Sequence, residues 1–104
     1  MKNKIKKHTG DYHKYLVNSL KDPDEAKAYL NASLEEEGTE SFLMALRNVV
    51  EAQGISRTAK MTGLNRVSFY KMLSKNGNPG VISLYAILRA LGFFLRVDSI
   101  KQAA

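Results

Sequence analysis

Most apolar residues in this chain recur at helical spacing. Thr39–Gln53 has the clearest pattern, with Phe42, Leu43, Leu46, Val49 and Val50 at i, i+3, i+4 and i+7 and Arg47, Asn48 and Glu51 opposite. Gly54 closes this helix. Upstream, Asp22-Pro23-Asp24-Glu25 reads as a helix start. Asp22 caps, Pro23 takes the first helical position, where its missing N–H costs nothing, and Glu25 completes a capping box. The predicted buried stripe is Ala26, Tyr29, Leu30, Ser33 and Leu34, and the helix runs to Glu37. Gly38 ends it and Thr39 caps the next. Val81–Leu91 predicts a further helix buried through Ile82, Tyr85, Leu88 and Leu91 and stopped by Gly92. Asp11–Leu20, with Tyr12, Tyr15, Leu16 and Leu20, is either a short helix or an extended arm lying on the domain.

After Gly92 the period changes to two. Phe93, Leu95 and Val97 alternate with Phe94, Arg96 and Asp98, which predicts a strand over 93–98. No second segment reads convincingly as a strand, and a lone strand leaves a row of unpaired backbone groups. The simplest partner is the same strand in a second copy, paired across a two-fold axis, so a homodimer is expected. The alternative is a tail that packs its aromatic residues on its own domain.

Ile55–Ser74, ISRTAKMTGLNRVSFYKMLS, has the pattern of a helix-turn-helix. Arg57–Thr62 is the expected first helix, capped by Ser56. Gly63-Leu64-Asn65 is the turn and Arg66–Ser74 the recognition helix. Ala59 is the small residue where the helices touch, and Gly63 tolerates the left-handed backbone of the turn. Leu64, Phe69 and Met72 lock the helices together, leaving Arg66, Val67, Tyr70 and Lys71 on the outer face. That face suits the major groove of double-stranded operator DNA: Arg66 for a bidentate contact to guanine, Val67 for a thymine methyl, Tyr70 and Lys71 for base edges or flanking phosphates. Ser56, Arg57, Ser74 and Lys75 are better placed for phosphates. Asn65 reads as the cap of the recognition helix. The same spacing also fits a plain helical corner that touches no nucleic acid.

Charge favours the DNA reading. The net charge of +6 is unevenly spread. Residues 8–40 hold three bases and eight acids, a net of −5, while residues 41–104 hold nine bases and two acids, a net of +7. The half containing the motif is the basic half, as phosphate binding requires. Lys2, Lys4, Lys6 and Lys7 precede both. Residues 1–10 read as a flexible basic tail or as an arm touching phosphates; lysines alone do not read bases, which favours the tail. The acidic run Glu35-Glu36-Glu37 is either a solvated helix end or a docking surface for a basic protein.

Composition removes other classes. At 104 residues with 44% hydrophobic content the chain is one globular domain. It has no cysteine, hence no disulfide, thiolate metal site or cysteine nucleophile. His8 and His13 have no third ligand nearby, so no metal or cofactor is expected. There is no nucleophile elbow, glycine-rich phosphate loop or inward-facing acid pair, so no catalytic residue is expected. No apolar run approaches the roughly 20 residues of a membrane span, and no apolar segment follows the basic N-terminus, so the expected location is the cytoplasm.

Several helices around such a motif resemble the lambda-repressor-like (Cro/C1, XRE-type) domains. The fold expected on that likeness is all-α, a helix-turn-helix bundle of about five to six helices with a single C-terminal β-strand. The domain would span 11–104, with the motif at 55–75 and a dimerisation strand at 93–98. A closer likeness lies in DPDEAKAYLNASLEEEG, then FLMALRNVVEAQGISRTAKMTGLNRVSFYKMLSKNGNP, then LYAILRALGFFLRV. These stretches look like the addiction-module antidote proteins, a HigA-like antitoxin family. The resemblance implies an antitoxin that neutralises a basic RelE/ParE-like toxin by protein contact and represses its own operon. Val67 stands where family members often carry an acid, so no target sequence is carried over. The competing reading is a phage- or chromosome-encoded Cro/C1-type regulator without a toxin partner.

Overall fold

The computed structural model describes residues 9–36 and 38–100. They form six helices: α1 (Thr9–Ser19), α2 (Pro23–Glu36), α3 (Thr39–Gln53), α4 (Ile55–Thr62), α5 (Arg66–Met72) and α6 (Val81–Ala90). α3 is the central element, contacting α1, α2 and α4; α4 in turn carries α5 and α6. The reason is visible along α3. Phe42, Ala45, Leu46, Val49 and Val50 are all buried, and Leu46, Val49 and Val50 expose nothing. Leu20, Ala26, Leu30, Ala59, Phe69, Leu73, Ile87 and Leu88 close the core around them. Every buried side-chain nitrogen or oxygen among the described residues has a hydrogen-bond partner, as a core of this density demands.

The expected helix starts are largely present, with two reassignments: Thr39 is the first residue of α3 and not its cap, a place taken by Gly38 with no side-chain hydrogen bond. Asp22 Oδ1 accepts from the Asp24 N–H at 2.9 Å, so Asp22 caps α2. Asn65 Oδ1 accepts from the Ser68 N–H at 3.1 Å, so Asn65 caps α5. Ser56, however, is no cap: α4 begins at Ile55, and Gly54 stands at the corner. Gly54 has φ 101°, which an L side chain rarely adopts. Its N–H donates back to Val50 O at 2.9 Å, closing α3, and its carbonyl accepts from Thr58 N at 3.0 Å and Thr58 Oγ1 at 2.9 Å, opening α4. One residue therefore serves both helices, and the first helix of the motif is two residues longer than its sequence suggests. The second is shorter: α5 ends at Met72, with Leu73 as its cap.

The C-terminal segment forms no strand; the described residues contain none. Gly92 N donates to Arg89 O at 3.0 Å and Phe93 N to Leu88 O at 2.8 Å, a Schellman closure of α6 with Gly92 at φ 94°. Phe93 packs against the core as part of that closure. The alternation beyond it meets no second extended segment, so Val97 is left 96% exposed. α6 is also turned relative to the expected stripe. Ile87 and Leu88 are buried and Leu84 and Leu91 partly so, while Ile82 is 85% and Tyr85 48% exposed. Apolar residues occupy nearly every side of α6, so period alone does not fix its phase. Leu34 of the α2 stripe is likewise exposed.

At the N-terminus the helical alternative holds. α1 begins at Thr9, so residues 9–10 belong to the fold, whereas the rest of the expected tail lies outside the described residues. Leu20 is buried and Leu16 partly so, but Tyr12 and Tyr15 face outward.

Gly77 is where the chain folds back on α5. A Cβ there would lie 1.9 Å from Met72 O, a backbone atom that cannot give way. Gly77→Ala is expected to cost roughly 2 kcal/mol or more. Gly80→Ala, where nothing lies within 4 Å, should stay within about 1 kcal/mol of wild type. Phe69→Ala, at 0% exposure, should cost about 3–5 kcal/mol. Urea unfolding followed by circular dichroism measures all three.

Candidate nucleic-acid interface

α4 and α5 are joined by the turn Gly63-Leu64-Asn65, which three local features hold. Gly63 ends α4 in the left-handed conformation at φ 73°. Thr62 Oγ1 donates to Ala59 O at 2.7 Å and accepts from Leu64 N at 3.1 Å. Asn65 then caps α5. On the inner side, Ala59 and Phe69 are buried, Leu64 and Met72 are partly covered, and Leu73 is buried as well. Leu73 is an anchor that the spacing of Leu64, Phe69 and Met72 did not single out.

All eight residues singled out for DNA are exposed: Ser56, Arg57, Arg66, Val67, Tyr70, Lys71, Ser74 and Lys75. The structure brings three of them together. Arg66 Nη2 donates to Ser56 Oγ at 3.0 Å and to the Tyr70 hydroxyl at 3.3 Å. The guanidinium carbon also lies 5.7 Å from the centre of the Tyr70 ring, within cation–π range. Arg66 and Tyr70 are four residues apart and share a helical face. Ser56, ten residues away on α4, reaches the same guanidinium across the turn. The hydrogen bond from Arg66, and then that from Ser56, holds the Tyr70 phenol below its ordinary pKa. Tyr70 also meets Phe69 edge-on, with ring centres 6.2 Å apart, so an exposed ring rests on a buried one.

Val67 is 74% exposed beside this cluster. Lys71 and Lys75 extend the basic surface toward the C-terminal end of α5. Ser74 Oγ donates to Lys71 O at 2.7 Å, a bond within the chain turn that leaves its oxygen free to accept. Arg57 is exposed on α4. The outer face is thus a row of donors with no acid in α4 or α5.

Two residues outside the eight support this face. Arg47, partly buried on α3, donates from Nη1 to Ser74 O at 3.1 Å and ties the end of α5 to the central helix. Its partner is 27 residues away, and only its position opposite the apolar stripe was visible in the sequence. His13 on α1 lies 3.0 Å from Glu51 Oε1 on α3, so α1 is fastened at its N-terminal half. Among the described residues no cluster of His, Cys, Asp or Glu could hold a metal ion. No helix among them is long and apolar enough to cross a membrane.

Residues 11–99 match the family described as "Probable addiction module antidote protein". A chain from Haemophilus influenzae (strain ATCC 51907 / DSM 11121 / KW20 / Rd), described only as "Uncharacterized protein", is 32% identical over 84 residues. That alignment covers 81% of this chain and 87% of the relative. No solved structure matches significantly. A family match running through all six helices, with a relative aligned over most of both chains, places this chain in the probable addiction module antidote family.

Proposed function

We propose that this chain is an antitoxin that binds operator DNA through α4, its turn and α5, used as a lambda-repressor-like (HigA-type) helix-turn-helix. The observation that carries the reading is the Ser56–Arg66–Tyr70 cluster on the outer face of α5. A guanidinium held by two hydroxyls has already given up much of its rotamer freedom, so little remains to be lost when it meets guanine O6 and N7. Val67 offers a methyl-sized apolar contact next to it, and Lys71 and Lys75 supply phosphate partners. Two copies would engage half-sites about 34 Å apart, so the functional unit is a homodimer. The exposed apolar side chains of α6 and the segment after it, Ile82, Tyr85, Phe94, Val97 and Ile100, are available for that contact.

The toxin is the second partner, and family membership supports it. The exposed acids of α2, Asp24, Glu25 and Glu35, offer a helix that a basic protein such as a RelE/ParE-like toxin could meet. Occupying α2 leaves α4 and α5 open, so one chain in the cytoplasm serves as both toxin neutraliser and autorepressor. The role is binding, not catalysis.

Arg66→Ala is expected to weaken operator binding by roughly 1–3 kcal/mol and relax one base preference. Tyr70→Phe keeps the ring and removes the hydroxyl, and should fall between wild type and Arg66→Ala. Lys75→Ala should weaken all sequences alike. Gel-shift titrations on DNA from upstream of the gene measure these, and wild-type affinity in both Arg66→Ala and Lys75→Ala would overturn the assignment. Co-expression with the neighbouring reading frame tests the toxin. Full-length chain should rescue growth and co-purify, and reversing Asp24, Glu25 and Glu35 to lysine should abolish both. Rescue by the reversed variant would remove α2 from the toxin contact.

A further inference from the structure

The loop after α5 brings a reactive pair of residues to the edge of the candidate DNA face. Asn76 is the one asparagine of the chain that is followed by glycine. The side-chain amide of an asparagine is open to attack at Cγ by the backbone nitrogen of the next residue, and a side chain on that residue obstructs the attack. Gly77 has none. Asn78 is followed by Pro79, whose nitrogen has no proton to lose. Asn76 is exposed, and it lines an open cleft with Gly77, Lys75 and Arg47, so water has access to it.

We propose that Asn76 is a site of spontaneous deamidation, held in check by the carbonyl of Ser74, and that its conversion weakens DNA binding. The Gly77 nitrogen loses its proton and bonds to Asn76 Cγ. The bond from Cγ to the amide nitrogen breaks, ammonia leaves, and a cyclic imide remains. Water then opens the ring at either carbonyl to give aspartate or isoaspartate. Water is consumed and ammonia released, with no oxidant or cofactor. The fold opposes the first step. Gly77 N donates to Ser74 O at 2.8 Å, and Arg47 Nη1 donates to the same carbonyl at 3.1 Å. A nitrogen whose proton is so engaged attacks only after the turn opens, so the rate follows that opening and not the exposure of the amide. Arg47, by holding Ser74 O, helps to keep the turn closed. Gly77 also packs so close to α5 that a Cβ would lie 1.9 Å from Met72 O. Aspartate keeps that fit, whereas isoaspartate adds a backbone atom just ahead of it. The effect on DNA rests on the binding reading above. Asn76 adjoins Lys75, a proposed phosphate partner, and Glu40 already lines the same cleft. A second carboxylate there offsets Lys75 and Arg47 further and repels phosphates whatever the base sequence.

The test incubates the full chain at neutral and alkaline pH, folded in buffer and unfolded in urea, and follows each asparagine by peptide mass spectrometry. Asn76 should convert faster at the higher pH and about tenfold more slowly in the folded chain than in the unfolded one, while Asn78 stays intact. Arg47→Met, incubated well below its melting temperature, should convert faster than wild type. Equal rates in folded and unfolded chain, or a folded chain in which Asn76 stays intact, overturn the proposal. For the DNA effect, Asn76→Asp is titrated against a labelled mixed-sequence duplex by fluorescence anisotropy across a salt series. It should bind about threefold to tenfold more weakly at low salt, with a plot of log affinity against log salt shallower by about 1. Neutral Asn76→Gln should bind as wild type does. Wild-type affinity in Asn76→Asp overturns the effect on DNA. A wild type without salt-dependent binding refutes the DNA reading itself and leaves the conversion at Asn76 standing.

Discussion

Burial of one stripe on α3 is the constraint on which the remaining structure depends. Leu46, Val49 and Val50 lose all contact with solvent, and the helices that cover them arrive from both directions along the chain. α1 and α2 approach from upstream and α4 follows directly. α5 and α6 attach through α4, so their positions are inherited from α3 at one remove. A chain of this size has room for a single such core, and the exposed surface must then be organised around it. Acids collect along α2 and bases along the downstream helices, so one small bundle carries segments of opposite sign.

That polarity is compatible with two partners of opposite charge. On the proposed function, a polyanion would be drawn to the downstream face and a basic protein to α2. Within the downstream face, geometry adds to charge. Arg66 is steered by a hydroxyl from its own helix and one from the helix before, while Tyr70 rests edge-on against buried Phe69. The outer donors are thus connected to the core by two contacts, and Arg47 fixes the far end of α5 through Ser74 O.

Much of this was legible in the sequence, for identifiable reasons. α3 was read with its buried stripe because its apolar residues occupy one side and polar ones the other. The caps Asp22 and Asn65 and the left-handed Gly63 were legible because their chemistry is local. What failed was what depends on distant partners or on too little contrast. α6 is apolar on nearly every side, so Ile82 and Tyr85 were assigned inward and lie outward. The alternation after Gly92 resembled a strand, but Phe93 is taken by the closure of α6 and no second extended segment meets the rest. Ser56 has the chemistry of a cap, yet Gly54 takes that place, since its positive φ lets a single residue turn the corner. The meeting of Ser56 with Arg66 could not be read at all, because it depends on the angle between two helices.

That meeting has a consequence for how the molecule would respond to change. The guanidinium is gripped from both sides of a three-residue turn, so it acts as a gauge of the angle between α4 and α5. A substitution at Gly63 or Thr62, in the turn between the two helices, would be registered first as a lengthened bond at Ser56 or Tyr70. If Arg66 reads a base as proposed, residues away from the DNA face would then alter what it selects, and variants that retune the site need not lie in it.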